Sequence, residues 1–351
     1  MEKRYNIHDL VSVGVVSNSP YIIAGYDHYL RFFEDPKVSE IDYGVVDFSK
    51  DFFKNSAGHI IDFSRIDSGI CFPKEGYAIS FDKNKIKEYT TYANRATNLF
   101  VQALLLVKGF SFVHGAGIEM KGRGIIFPAL GGVGKTLLIS ALRNHKDFKF
   151  FGDDYVIVGG EHLMYSYPSD FSIYPYHVPL FNELKNSSSE IYLKKRNRYK
   201  LFYECKRAIN FIFKRIFNST GPVLKKWNAS YVKIPAEKLI QKEKIGKRTV
   251  LDASIFLERY DGENIFLEPM DIDSLIGRIM GILDSEFNEG MKYLSLLASV
   301  GEFNLIEFRL SQETILRKVF SHIKLYQLKI PNSLSPKEYC DYISKDFIYE
   351  I

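Results

Sequence analysis

Cysteine is scarce in this chain. Only Cys71, Cys205 and Cys340 occur, far apart and in no C-x-x-C pair. That excludes a disulfide framework and a cysteine-based zinc site, and it points to a reducing compartment. Long apolar runs are missing too. The longest, residues 104–113, is broken by Lys108 and is too short to span a bilayer. The charged start, residues 1–6, is followed by no apolar stretch with a small-residue cleavage site, so a cytoplasmic location is expected. The 24 glycines and 12 prolines show no period, which excludes collagen-like and low-complexity readings. What the chain has in quantity is aromatic residues. Its 28 Phe and 23 Tyr in 351 residues supply more apolar area than a disordered chain carries.

The net charge of +5 is unevenly placed. Between residues 194 and 226 stand Lys194, Lys195, Arg196, Arg198, Lys200, Lys206, Arg207, Lys214, Arg215, Lys225 and Lys226, against the single acid Glu204. The rest of the chain is therefore acidic on balance. A nucleic-acid partner is not expected from such a local excess. Within the segment, Phe202, Cys205, Ile209, Ile212, Phe213 and Ile216 recur at helical steps. A basic helical insertion is expected at about 183–228. It reads as a surface helix or as a docking face for an acidic or phosphorylated partner or a membrane surface.

Two domains are expected: residues 1–85, mostly strands, and a larger α/β part over 86–351. In the first, residues 13–16, 21–24, 44–48 and 77–81 read as strands. His8, His28 and His59 have no partners at metal-ligand spacing. From 85 to 108 the pattern is helical, with Gly109 as its cap. Strands follow at 110–113, 116–120 and 125–127, then a glycine-rich loop and a helix over 136–144. Strands at 148–151 and 155–158 flank Asp153-Asp154. Later, 253–259 and 264–267 read as a hairpin around Asp261-Gly262. Asp271 caps a helix to about 283. A strand at 325–330 precedes a helix after Ser335-Pro336.

The sharpest motif is Ala129-Leu130-Gly131-Gly132-Val133-Gly134-Lys135-Thr136. It matches the phosphate-loop pattern G-x-x-x-x-G-K-[ST] except for Ala129 at the first position, and it lies between an apolar strand and a helix as that motif requires. Glycines let consecutive backbone N–H groups, from Gly131 through Leu137, turn inward toward phosphate oxygens, and the helix N-terminus adds partial positive charge. Lys135 would reach the β- and γ-phosphates, and the Thr136 hydroxyl would ligate Mg²⁺. Asp153-Asp154 follow 17 residues after Thr136, an interval that fits a helix and a returning strand. One carboxylate can hold Mg²⁺ while the other accepts a proton from an attacking hydroxyl. His114 ends a strand upstream, with a hairpin between it and the loop; it is either a member of the phosphate site or a histidine satisfied by local backbone.

At these three places the chain resembles the kinase core of HPr kinase/phosphorylase and its relatives, which is similar to the nucleotide-binding part of ATP-dependent phosphoenolpyruvate carboxykinase. His114-Gly115, Gly131-Gly132-Val133-Gly134-Lys135-Thr136 and Phe151-Gly152-Asp153-Asp154 carry the resemblance, over about 110–160. It implies an α/β P-loop kinase core with a mixed sheet and flanking helices, joined here to a smaller N-terminal α+β domain. It implies phosphoryl transfer from ATP to a hydroxyl of a small molecule, peptide or protein serine. In that setting Asp153 is the base, Asp154 and Thr136 hold the metal, and His114 lies near the reacting phosphate, with the two aspartates able to exchange roles. The family suggests a homo-oligomer by analogy. The glycine-rich stretch that the bifunctional enzymes carry after the acidic pair has no counterpart; Tyr167-Pro168-Ser169-Asp170 stands there. A divergent kinase is therefore expected. The alternative is an ATP-binding regulatory protein without catalysis, recruiting a partner through the basic segment.

Overall fold

The first strands form where apolar residues alternate. In β1 (Glu2–Ile7) and β2 (Val11–Val16), Tyr5, Ile7, Val11, Val13 and Val15 are buried while their neighbours face outward. The 21–24 stretch, which reads as a strand, is instead part of α1 (Pro20–Leu30). Pro20 occupies the first turn, where a missing N–H costs nothing, and Ile22, Ile23, Tyr26 and Leu30 share the buried face. Then come β3 (Tyr43–Asp47), β4 (Ser64–Ile66), β5 (Gly69–Phe72), β6 (Tyr77–Asp82) and β7 (Lys85–Thr90). Among the described residues these seven strands make one mixed sheet in the order β1-β2-β3-β7-β6-β5-β4. The expected helix over 85–108 is corrected here. Its first part alternates, with Ile86, Glu88 and Thr90 inward, and joins the sheet as β7. The Glu88 carboxylate is fully buried and accepts hydrogen bonds from the hydroxyls of Tyr26 (2.8 Å) and Tyr43.

The computed structural model describes residues 1–49, 64–66, 68–82, 84–93, 96–174, 177–181 and 231–347. The basic segment 194–226, with Cys205, lies outside them, as does His59. The chain divides into two compact units. One comprises Met1–Lys135, His145–Ser169 and Glu243–Leu334, the other Thr136–Asn144, Asp170–Lys242 and Ser335–Ile351.

In the first unit, α2 (Thr97–Val107) buries nearly every side chain and stops where Gly109 takes φ +77°. The expected strands 110–113 and 116–120 are one strand, β8 (Phe110–Met120), running through His114-Gly115. It is followed by β9 (Arg123–Pro128), β10 (Phe148–Gly152), β11 (Tyr155–Gly159) and β12 (Leu163–Tyr167). Residues 110–114 of β8 pair with β11, and 115–120 pair with β9, with β10 also alongside this half. The other long strand, β15 (Arg248–Tyr260), pairs successively with β12, β9 and β17 (Lys324–Pro331). Hydrogen bonding therefore runs β8-β9-β15-β12-β11 and back to β8. The ring closes because β8 and β15 are long enough to serve two neighbours in turn.

The hairpin expected at 253–267 is also corrected. β16 (Phe266–Pro269) pairs antiparallel with β17, and β17 pairs parallel with β15, so β17 lies between the two. The hydrophobic faces of β15 and β17, with Ile255, Leu257, Leu328 and Ile330 buried, favour that central place. Three helices lie between β16 and β17: α4 (Ile272–Glu286), α5 (Asn288–Ser299) and α6 (Leu305–Phe320). Asp271 caps α4 by accepting from Ser274 N at 2.8 Å, as its position predicts. Their buried faces join the core formed by α2, β8 and β11. No helix among the described residues is long and apolar enough to cross a membrane.

The second unit contains the antiparallel pair β13 (Phe171–Ile173) and β14 (Val232–Ile234). It also contains α7 (Pro336–Tyr342), closed by a capping box between Ser335 and Glu338. Arg143 is buried there, donating to Leu239 O at 2.7 Å with its guanidinium over the Phe181 ring. The whole is a mixed α/β protein with mixed sheets.

Gly117 tests the ring's packing. A Cβ there would lie 2.5 Å from Val156 Cγ1 and 3.1 Å from Phe151 Cβ. Both neighbours are fully buried, and the β-branched Val156 has little freedom to give way. Gly117→Ala should lower unfolding stability by about 1–3 kcal/mol in denaturant titration; an unchanged midpoint would show the ring is loosely packed.

Candidate functional site

β9 carries the chain into the glycine-rich loop. Ala129 is fully buried and keeps a negative φ, so replacing the motif's first glycine costs no backbone strain here. Gly132 and Gly134 have φ of +81° and +131°, which side-chain-bearing residues rarely adopt. Added Cβ atoms at Gly131 and Gly132 would meet nothing within 4 Å, so the loop's outer face is open to approach. The helix α3 (Lys135–Leu142) starts directly after it.

Lys135 is 93% withdrawn from solvent, with only 7% of its surface exposed. Its ammonium donates to Ala129 O at 2.9 Å, to Leu130 O at 3.2 Å and to His114 Nε2 at 2.9 Å. To accept from an ammonium, His114 must be neutral at Nε2 and carry its proton on Nδ1. Burial and the adjacent Lys135 charge both push the imidazole well below its ordinary 6.5, consistent with that state. Nδ1 is buried with no hydrogen-bond partner among the described residues. Burial also lowers the Lys135 ammonium, while Asp154, Asp153 and Glu286 act in the opposite direction.

The acidic pair occupies the turn between β10 and β11. The β10 register shifts between Phe150 and Gly152, which bends the strand just before it. Gly115 N donates to Asp154 O at 3.1 Å and ties the turn to β8 beside His114. Tyr155, opposite His114 in the ladder, meets the imidazole edge-on at 5.2 Å and stacks on Phe287. Asp153 is buried and Asp154 is partly exposed.

His114, the loop, Lys135 and the two aspartates thus converge in the first unit. Thr136 and Leu137 begin the second. Leu137 buries its side chain, and its carbonyl accepts from Ser140 Oγ at 2.7 Å, so only its backbone N–H suits phosphate. Tyr174 and His177 also lie in the second unit; His177 is buried, and burial pushes it down to about 4.

Glu286 and Arg259 are additions that no motif announces. Glu286 is the last residue of α4, with Oε1 3.8 Å from His114 Nε2 and its side chain 36% exposed. Burial first and Asp154 second raise its carboxyl, partly offset by Lys135. Arg259 donates from Nε to Val133 O at 3.1 Å and from Nη1 to Pro331 O at 2.8 Å, fixing the loop to the end of β17. Among the described residues no group of three or more His, Cys, Asp or Glu is arranged to hold a metal ion. No family model and no curated protein matches this chain.

The His114 environment makes a pH signature. Its folded-state proton affinity lies below the unfolded value, so the unfolded chain binds this proton first as pH falls. The contribution is therefore neutral well above 6.5 and destabilising below it, by up to about 1.4 kcal/mol per pH unit. His114→Gln, whose amide oxygen can still accept from Lys135, should flatten the fall in stability between pH 7 and 5. Parallel pH curves for both proteins in denaturant unfolding would contradict a neutral buried imidazole.

Proposed function

We propose that this chain is an ATP- and Mg²⁺-dependent kinase with a P-loop core of the HPr kinase/phosphoenolpyruvate carboxykinase type, moving the γ-phosphate to a hydroxyl. One observation carries the reading: a buried ammonium, Lys135, sits at the start of the helix behind a glycine loop, bonded to Ala129 O, Leu130 O and His114 Nε2, while Asp154, Asp153 and Glu286 act to raise its proton affinity against burial. The cation is held by two loop carbonyls and an imidazole.

Backbone N–H groups of the loop, up to Lys135 at the start of α3, bind the phosphate oxygens. All three ammonium protons of Lys135 are already engaged, so gripping a phosphate means exchanging at least one loop carbonyl for it. His114 Nε2 keeps the ammonium aimed during that exchange. Asp153 then accepts the proton of the acceptor hydroxyl as its oxygen bonds to the γ-phosphorus and the bond to the β-phosphate bridge breaks, releasing ADP. A general base in this role contributes about 10²–10⁴ in rate. The donor set suits Mg²⁺: Asp154 and Glu286 are hard oxygen ligands whose mutual repulsion a cation would relieve. When bound, that ion supplies charge neutralisation at the phosphates.

Lys135→Ala should abolish binding of ATP with Mg²⁺ in calorimetry. Asp153→Asn should bind it within several-fold of wild type, yet lose 10²-fold or more in transfer of γ-label to a metabolite or lysate acceptor pool, in line with the magnitude for a lost general base. Near wild-type transfer by Asp153→Asn would remove Asp153 as the base. ATP binding by the wild-type chain without transfer to any acceptor would favour a nucleotide-responsive regulator instead.

A further inference from the structure

On the β15 side of the loop, away from β8, lies a cavity of about 640 Å³. Its walls are loop residues 130–133, β15 residues 256–259, and Arg278, Gly281 and Ile282 of α4. That volume falls within the roughly 300–1,000 Å³ of small-molecule sites. The phosphate reading uses its loop wall but not its β15 and α4 walls.

Three features show what it suits. First, Gly281 stands in the interior of α4, where glycine is a poor choice, and a Cβ added there would meet nothing within 4 Å. Gly281 is exposed and forms part of the cavity wall, so a larger side chain there would extend into open space. Second, Arg278, Ile282 and Glu286 fall at i, i+4 and i+8, along one stripe of α4. The stripe is about 12 Å long at the helical rise. One end is at His114 and Asp154, the other at the cavity, with the loop alongside. Third, the Arg278 guanidinium lies 5.0 Å over the Phe256 ring and pairs with Glu258 Oε2 at 2.8 Å. A planar cation layered on an aromatic ring offers a flat face to a base, and a carboxylate at its edge can accept from ribose hydroxyls. Arg259 holds the loop wall of the cavity in place through Val133 O.

We propose that this cavity receives the base and ribose of the triphosphate whose tail the loop holds. The proposal rests on the phosphate-binding reading above. In it, the terminal phosphate lies toward Glu286 and the nucleoside toward Arg278, an extent matched by the α4 stripe.

Calorimetric titration with Mg²⁺-ATP and with Mg²⁺-tripolyphosphate separates the two readings. Wild type should bind ATP at least 10-fold more tightly than tripolyphosphate. Gly281→Phe fills the cavity without changing charge and should bring ATP down to the tripolyphosphate affinity while leaving tripolyphosphate unchanged. Gly277→Phe is the control: it adds the same bulk to open space one turn away, outside the cavity lining. It should behave as wild type. Glu258→Gln should lower ATP affinity severalfold and relax the preference for ribose over 2′,3′-dideoxyribose. If wild type binds both ligands equally, or Gly281→Phe keeps its ATP preference, the cavity is not the nucleoside site, and the phosphate reading survives. If Gly281→Phe keeps ATP affinity but loses label transfer, the cavity belongs to the acceptor and the proposal is overturned. If wild type binds neither ligand, the loop reading fails and the proposal with it.

Discussion

The site depends on keeping the Lys135 ammonium charged while it is buried. Removing a cation from water is costly unless its protons find acceptors and its charge meets an opposing field. Here Ala129 O, Leu130 O and His114 Nε2 take the protons, and the carboxylates of Asp154, Asp153 and Glu286 supply the field. That arrangement has consequences in both directions. The imidazole must be neutral to accept, so its own proton affinity falls. Glu286, close to Asp154, retains its proton more readily than an isolated carboxyl. Burial is the first cause of the shifts at His114, Lys135 and Glu286, and the charges of neighbouring groups act after it.

The sheet explains why these groups meet. β9, which ends at the loop, lies between the two long strands β8 and β15. β8 brings His114 to one side of the loop, and β15 brings Arg259 to the other. The same β8 residues hold the acidic turn through Gly115 N and through the ladder partner Tyr155. A lysine and an acidic pair well separated in sequence are thus registered against one strand. Gly117, a position with no room for a methyl, lies further along the same strand.

Local signals were legible where one short segment decides its own conformation. The glycine spacing at 131–134 marked the loop, and the structure has left-handed backbone at Gly132 and Gly134. Asp271 and Ser335 marked helix starts that both form their side-chain caps. Legibility failed where two periodicities fit the same residues. Residues 21–24 are apolar throughout and read as strand, but Pro20 and the wider spacing to Tyr26 and Leu30 make them a helix. Residues 85–90 were absorbed into the helical pattern downstream, though their inward set alternates and includes Glu88, a charged residue made tolerable by tyrosine hydroxyls from α1 and β3. The Asp261-Gly262 turn looked like a hairpin because nothing nearby reveals that β17 will insert between its arms.

By itself the sequence determined the loop, the helix behind it, the presence of an acidic pair in the following turn and the mixed α/β character, because each follows from backbone chemistry or periodicity within a few residues. Only the tertiary structure decided that His114 would become the third acceptor of Lys135, that Glu286 would join Asp154, and that Arg259 and Arg278 would frame a cavity beside the loop. Those relations come from strand order and from where one helix ends in space. Long-range pairing of this kind leaves no mark on local spacing, since any residue of suitable type at those positions would read the same in sequence.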